Sequence, residues 1–181
     1  MAGTEIDLDD LIAAIVASID AAFPTFATVE AYREDRKELA LPACLVTLSD
    51  FEAFDDPGTE QLALTTRFEV HVILGFRTSA SRRAAPKLAA AVAHHINGSR
   101  WGQPVSPAVV SVIEPDDFAP ELDEFEVWRI DWSQVVHVGA SVWVDDGTLP
   151  TEVWGGWAPD IGPPNVGDYE LIVSAPPEVD P

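Results

Sequence analysis

Residues 62–74 read LALTTRFEVHVIL and form the longest strand pattern in the chain. Apolar side chains predominate at the even positions from Leu62 to Leu74. They alternate with a mostly polar set that includes Arg67, Glu69 and His71. Such alternation is typical of an antiparallel strand with one face on a core and the other exposed. The stretch therefore predicts a long sheet strand covered on one side only.

Two amphipathic patterns flank this strand and predict helices. Residues 8–23 carry apolar side chains at three- and four-residue spacing, with Asp7 as the N-cap and Pro24 as the stop. Residues 84–97 form the second pattern, and Gly98 follows it as the C-terminal stop. Pro86 is expected near the first turn of that helix, because a proline further inside would remove a hydrogen bond. The predicted buried stripe of the second helix is Leu88, Ala89, Val92 and Ile96.

Four further segments predict strands: 27–32, 45–48, 109–113 and 127–138. Residues 51–58 contain the turn signal Asp-Asp-Pro-Gly, and the acidic residues 114–126 are expected to form a surface loop. The resulting order is α-β-β-β-α-β-β. It predicts an α+β fold in which two helices flank one face of a mainly antiparallel sheet.

The composition changes after Gly139. No Lys or Arg follows Arg129, and seven of the 15 prolines lie beyond Gly139. We therefore expect a domain over residues 1–139 and an extended, acidic Gly/Pro-rich arm over residues 140–181. A free linker seldom carries so many large aromatic side chains, so the arm is expected to dock on a surface. The candidate interface residues of the arm are Trp143, Trp154, Trp157 and Tyr169. Trp128 and Trp132 on the last strand are further candidates, but for these two burial in the core is the favoured alternative.

Charge excludes several classes of protein. Ten Lys+Arg stand against 31 Asp+Glu, giving a formal net charge of −21, which argues against wrapping nucleic acid or binding an anionic membrane. No apolar run reaches the roughly 20 residues of a membrane-spanning helix, and the acidic start lacks the basic residues of a signal peptide. We expect a soluble protein made in a cytoplasm.

The single cysteine, Cys44, excludes an intramolecular disulfide. It is expected to be a small buried hydrophobic residue.

No pattern of catalytic residues emerges. His94 and His95 are adjacent on a helix and project about 100° apart, so they do not form a metal-binding pair. His71 and His137 lie on polar strand faces, which leaves open a meeting across the sheet. Hydrolase and phosphate-loop motifs are absent, and the acidic clusters lack EF-hand spacing. The sequence therefore predicts a protein that is not an enzyme and uses no cofactor or metal.

The order of elements resembles the tail terminator (tail completion) proteins of long-tailed bacteriophages, in the branch found in Mu-like phages. The similar segments span most of the chain, from Leu8 to Tyr169. They are the helix 8–23, LPACLVTL at 41–48, LTTRFEVHVILG at 64–75, NGSRWG at 97–102, VWRIDWSQ at 127–134 and GWAPDIGP at 156–163 with Asp168 and Tyr169. These are structural patterns, because the family carries no catalytic signature.

The resemblance implies a virion protein, assembled in the host bacterial cytoplasm, that forms a homo-oligomeric ring, usually of six copies. The ring caps the tail-tube protein, ends tube growth and joins the tail to a head–tail connector or stopper protein. DNA passes through its central hole without specific binding, and no membrane is involved. A negative lumen would repel phosphates. The candidate lumen acids are Asp55, Asp56, Asp116, Asp117, Glu121, Asp123 and Glu124.

The sequence leaves two alternative functions open. One is a different neck or head–tail connector protein of the same virion. The other belongs to a different class, an acidic inhibitor that mimics DNA and fills a basic groove. A mimic is expected to be monomeric or dimeric, with its acids on one continuous face.

Overall fold

The computed structural model describes residues 6–32, 39–76, 78–116, 125–142 and 151–174. The chain divides into two compact units, residues 1–143 and residues 144–181. The N-terminal unit contains α1 (Leu8–Ala22), β1 (Thr28–Ala31), β2 (Ala43–Ala53), β3 (Leu62–Phe76), α2 (Ser81–Ile96), β4 (Val109–Pro115) and β5 (Phe125–Val138). The C-terminal unit contains β6 (Glu152–Gly155), a 3-10 helix (Pro163–Asp168) and β7 (Glu170–Ser174).

The larger sheet has the strand order β1-β2-β3-β5-β4. Only β1 and β2 run parallel, and every other neighbouring pair is antiparallel. The register places Val46 of β2 opposite Val70 of β3, which in turn lies opposite Ile130 of β5. The predicted α+β class and the order α-β-β-β-α-β-β are confirmed.

The first helix follows the local signals of its sequence. The side chain of Asp7 accepts hydrogen bonds from the backbone N–H groups of Asp9 (2.7 Å) and Asp10 (3.3 Å). Both acids lie in the first turn, where they complement the positive end of the helix dipole. The buried residues of α1 are Leu11, Ile15 and Ile19, all on one face.

The second helix begins three residues earlier than predicted. Its start is fixed by a reciprocal pair: the Ser81 N–H donates to the Thr78 hydroxyl (3.1 Å), and the Thr78 N–H donates to the Ser81 hydroxyl (2.7 Å). The earlier start makes Pro86 the sixth helical residue rather than a first-turn residue. Leu88 is only partly buried, whereas Ala85 and Ala93 join the buried stripe.

Four strands are longer than their apolar patterns indicate, and β3 exceeds its pattern by two residues, to Phe76. β2 continues through Ala53 into the predicted turn, although residues 49–53 are exposed. Pairing with β3 holds this extension, and a bulge between Leu48 and Asp50 adjusts the register. β4 likewise reaches Pro115, inside the predicted loop, and β5 starts at Phe125. Backbone ladders therefore extend these strands beyond their buried side chains.

The core lies between the sheet and the two helices. Trp132 is 1% exposed and stacks on Phe68, with ring centroids 5.2 Å apart. The buried Gln134 side chain accepts the indole N–H groups of Trp101 (2.8 Å) and Trp132 (3.2 Å). Its amide donates to the carbonyl of Ser106 (2.9 Å), so the buried polar atoms of Gln134 are all satisfied.

The C-terminal unit is more regular than an extended arm. β6 and β7 pair antiparallel, with Val153 opposite Val173 and Gly155 opposite Glu170. Gly156 permits this arrangement, because a Cβ there would lie 2.6 Å from a ring carbon of Tyr169. The Tyr169 hydroxyl accepts the Gly162 N–H at 2.8 Å. The sequence predicted an extended arm here, whereas the segment contains two paired strands and a 3-10 helix.

Candidate interaction surfaces

The C-terminal unit exposes an unusual amount of apolar surface. Trp157 is 77% exposed and Trp154 is 52% exposed. The other exposed large hydrophobic residues of the unit are Val153, Ile161, Val166, Leu171, Ile172 and Val173. Neighbouring residues of β7 point to opposite faces, so both faces of this two-stranded sheet are apolar and exposed. Exposed apolar clusters of this kind are typical of surfaces that bind another protein.

The aromatic candidates of this segment have different surroundings. Trp157 makes no side-chain hydrogen bond among the described residues, and Trp154 donates its indole N–H only to Glu152 of the same strand, at 2.9 Å. Tyr169 is half-buried and packs within its own unit. Trp143 lies outside the described residues. Trp154 and Trp157 are therefore the aromatic side chains available to a partner.

The two tryptophans of β5 belong to the N-terminal core. Trp132 is fully buried, and Trp128 is partly buried and packs against the same core. Trp132 is corrected as an interface candidate, because its ring is fully buried against Phe68 and Trp101. The alternative weighed from the sequence, an ordinary core position, describes Trp132. The interface role of Trp128 stays a prediction.

The candidate lumen acids fall into three groups. Asp55 and Asp56 are exposed in the turn between β2 and β3, where Asp56 accepts the N–H of Gly58 at 2.8 Å. Asp116 is corrected: its side chain is only 5% exposed and lies 3.1 Å from Nε2 of His71. Asp117, Glu121, Asp123 and Glu124 lie outside the described residues.

A charged surface occupies part of the sheet face that is turned away from α1 and α2, which we call the open face. A small buried apolar cluster (Ala43, Leu45, Ile73 and Val127) lies at one end of the same face. Arg129 of β5 contacts Glu114 of β4 at 2.7 Å and Asp131 at 3.0 Å. Arg67 of β3 contacts Glu52 of β2 at 2.9 Å. The alternation of residues 62–74 predicted the polar face of β3. The ion pairs also depend on which residues of neighbouring strands lie opposite each other, which spacing along one strand does not give. The acids outnumber the arginines on this face; they are Asp50, Glu52, Glu69, Glu114 and Asp131.

Negatively charged side chains outweigh positively charged ones in the electrostatic environment of the open face. Burial raises the pKa of Asp131, Glu69 raises it further, and Arg129 opposes the shift. Burial alone would lower the pKa of Arg129, but the carboxylates of Asp131, Glu114 and Glu69 raise it above its ordinary value. Glu69 itself makes no ion pair with a described residue.

A concavity of about 570 Å³ opens on this face. Its polar lining includes Ser49, Asp50, Arg67, Glu69, Asp131 and Ser133. Small-molecule pockets of similar volume are lined mostly by apolar and aromatic groups, with few polar ones. This concavity therefore suits a charged side chain of a protein partner better than a typical small ligand.

The histidines and the cysteine lie apart from one another. His71 stands opposite Arg129 and His137 opposite Ala63, so the two do not meet across the sheet. His95 contacts the Ser18 hydroxyl at 2.9 Å and links the two helices, while His94 is exposed. Cys44 is buried, and burial raises the pKa of its thiol to about 12. Within the described ranges, no group of three His, Cys, Asp or Glu side chains is placed to bind a metal.

None of the helices in the described part of the chain is long and apolar enough to cross a membrane. Comparison with known protein families finds no family model that matches this chain, and comparison with curated proteins finds no relative.

Proposed function

We propose that this chain is a structural subunit of a phage virion, which caps the tail tube as a ring, ends tube polymerisation and joins the tail to the head connector. The observation that carries the proposal is the exposed apolar surface of the C-terminal unit. Its support from the sequence is the resemblance to tail terminator proteins, which spans residues 8–169.

The C-terminal unit has the properties of an interface element. An isolated two-stranded sheet is marginally stable in water, so β6 and β7 gain stability from a covering surface. Trp154 and Trp157 provide large, rigid apolar groups, which are frequent anchors of protein interfaces. The covering surface we propose is a neighbouring subunit or the end of the tail tube.

The net charge fits a channel for DNA. Six copies of a chain with charge −21 form a strongly negative ring, whose lumen repels phosphates and lets DNA slide through. The exposed turn that carries Asp55 and Asp56 is the lumen candidate among the described acids. The same repulsion opposes ring assembly, so the ring needs attractive contacts between its subunits.

The two alternatives differ in how well the described surfaces suit them. Another neck or connector protein would use the same kind of ring, and only its place in the virion separates it from a terminator. A DNA mimic requires a continuous acidic face. On the open face, Arg67 and Arg129 interrupt the acids, which favours a protein partner over mimicry.

The test is a polymerisation assay with tail-tube subunits of the same virus. Purified full-length protein added during polymerisation is expected to shorten the tubes and to add a ring of density at one end. A Trp154→Ala/Trp157→Ala variant serves as the matched control and is expected to lose the effect. Tubes of unchanged length and bare ends, at protein in excess over tube ends, would refute the proposal.

A further inference from the structure

The exposed side of α2 carries a short basic stripe. Arg83, Lys87, Ala90, Ala91 and His94 follow each other at helical spacing, and all are exposed. Neither Arg83 nor Lys87 makes an ion pair with a described residue. Arg82 beside them lies 4.0 Å from Glu126. Ala90 and Ala91 add only small side chains to the stripe, which lets another surface approach the helix closely.

The positions of the α2 cations do not stabilise the helix itself. Arg82 and Arg83 lie in the first turn of α2, at the positive end of the helix dipole, where basic side chains are unfavourable. No acid in that turn offsets them. Their placement is consistent with a role in attracting an acidic surface.

The open face is such a surface, and it lies on the opposite side of the same unit. Its concavity contains Asp50, Glu69 and Asp131, and Glu69 makes no direct ion pair with a described residue, although its charge acts on Arg129. Added positive charge there would favour the ionised form of Asp131, whose pKa burial raises. No helix of the described residues packs on the charged part of this face.

We propose that the basic stripe of α2 in one copy docks on the open face of the next copy, with Arg83 and Lys87 directed towards Asp50 and Glu69. The two patches are different surfaces of one chain, so the contact is head-to-tail and closes into a ring when the rotation permits. The inference rests on the proposed function in that it names a contact of the same ring.

Charge complementarity favours the basic stripe of α2 over the C-terminal unit as the partner of the open face. The described part of that unit carries Glu152, Asp160, Asp168 and Glu170 and no Lys or Arg, so an acidic face repels it. Isolated exposed ion pairs contribute little, typically about 0–1 kcal/mol each. The contact is therefore expected to be weak for two free copies and to gain strength when a ring closes.

The first test uses two charge-reversed variants of the full chain. The first carries Arg83→Glu/Lys87→Glu, and the second carries Asp50→Lys/Glu69→Lys. Each alone is expected to self-associate about tenfold more weakly than the wild type, because like charges then face each other. Mixed together they are expected to associate within about threefold of the wild type, since each helix again meets an opposite charge. The matched control is Asp55→Lys/Asp56→Lys, which changes the net charge as the second variant does.

Cross-linking with a short bis-maleimide extends the test to the assembled state, because the buried Cys44 contributes no reactive thiol. Ala90→Cys/Ser49→Cys chains keep all four charged residues of the contact and are expected to give a ladder of covalent oligomers on tube ends, whereas Asp10→Cys/Ser49→Cys chains are not. Rings that form without Ala90→Cys/Ser49→Cys links would overturn this contact while leaving the proposed function intact. A mixture of the reversed variants that associates no better than either alone would also overturn it.

Discussion

Lys87 and Glu69 lie on opposite outer surfaces of the N-terminal unit: Lys87 on the exposed side of α2, and Glu69 on the sheet face that is turned away from both helices. Neither forms an ion pair with a described residue. Opposite charges on opposite sides of one unit favour head-to-tail contacts between copies over a self-complementary dimer. For a chain with a net charge of −21, such contacts would offset part of the repulsion that the proposed ring creates.

Truncation after Trp143 should leave a folded N-terminal unit, because the chain divides into compact units at that point. Truncation after Val138 should be less stable by about 1–3 kcal/mol. The shorter chain loses the bond from the Gln61 amide to the Gly139 carbonyl (2.8 Å) and the bond from the Val142 N–H to the Thr59 carbonyl (3.0 Å). Urea unfolding followed by circular dichroism measures the difference. An unfolded 1–143 chain would contradict the prediction.

Trp132→Ala and Trp157→Ala should have opposite consequences. Removing the buried Trp132 ring leaves a cavity beside Phe68 and should lower the free energy of unfolding by about 3–5 kcal/mol. Removing the exposed Trp157 ring should change it by less than about 0.5 kcal/mol, yet weaken ring formation. Chemical denaturation and electron microscopy of tube ends report the two properties separately. Normal ring formation by Trp157→Ala would remove the interface role of that side chain.

Cys44 should make stability fall at alkaline pH. Burial raises the pKa of the folded thiol from 9.0 to about 12, so the unfolded chain loses this proton first. The contribution of the Cys44 thiol to the free energy of unfolding is fully present below pH 9. It decreases by about 1.4 kcal/mol per pH unit as the pH rises from 9 towards 12. Urea unfolding of wild type and Cys44→Ala between pH 8 and 10.5 isolates the contribution. If the free energies of unfolding of the two proteins changed with pH in the same way, the folded Cys44 thiol would not be protected from deprotonation, contrary to the prediction.

Asp55→Lys/Asp56→Lys tests the lumen assignment. If this exposed turn faces the hole, the new lysines should contact phosphates, with an affinity for DNA that falls steeply as salt rises. Phage carrying the change should assemble tails of normal length and eject DNA poorly. Asp9→Lys/Asp10→Lys on α1 provides a control with the same change in charge. Normal ejection by a variant whose lysines are shown to line the hole would contradict the role of the negative lumen.

The sequence predicted those elements that have strong local signals. Alternation from Leu62 to Leu74 predicted β3, and Asp7 with Pro24 bounded α1 correctly. The start of α2 at Ser81 was missed because its hydrogen-bonded pair with Thr78 lies before the apolar pattern begins. The pairing of β6 with β7 was missed because Gly155 and Gly156 resemble a linker, although they make room for Ile172 and Tyr169.

The candidate surfaces were harder to predict, because burial and register decide them. Trp132 and Trp157 are the same residue type, yet one is in the core and the other is exposed. Asp116 lies in an acidic segment, yet it is buried beside His71. Spacing along the chain carries no information on which residues of β4 and β5 meet, so the contact of Glu114 with Arg129 was not predictable.

Electron microscopy of tail tubes capped by the full-length protein tests the central claim most directly. The account predicts a ring of six copies around an open hole at one end of each tube, with Trp154 and Trp157 covered by a neighbour or by the tube. Tube ends that remain bare at saturating protein, or particles with no central hole, would contradict it.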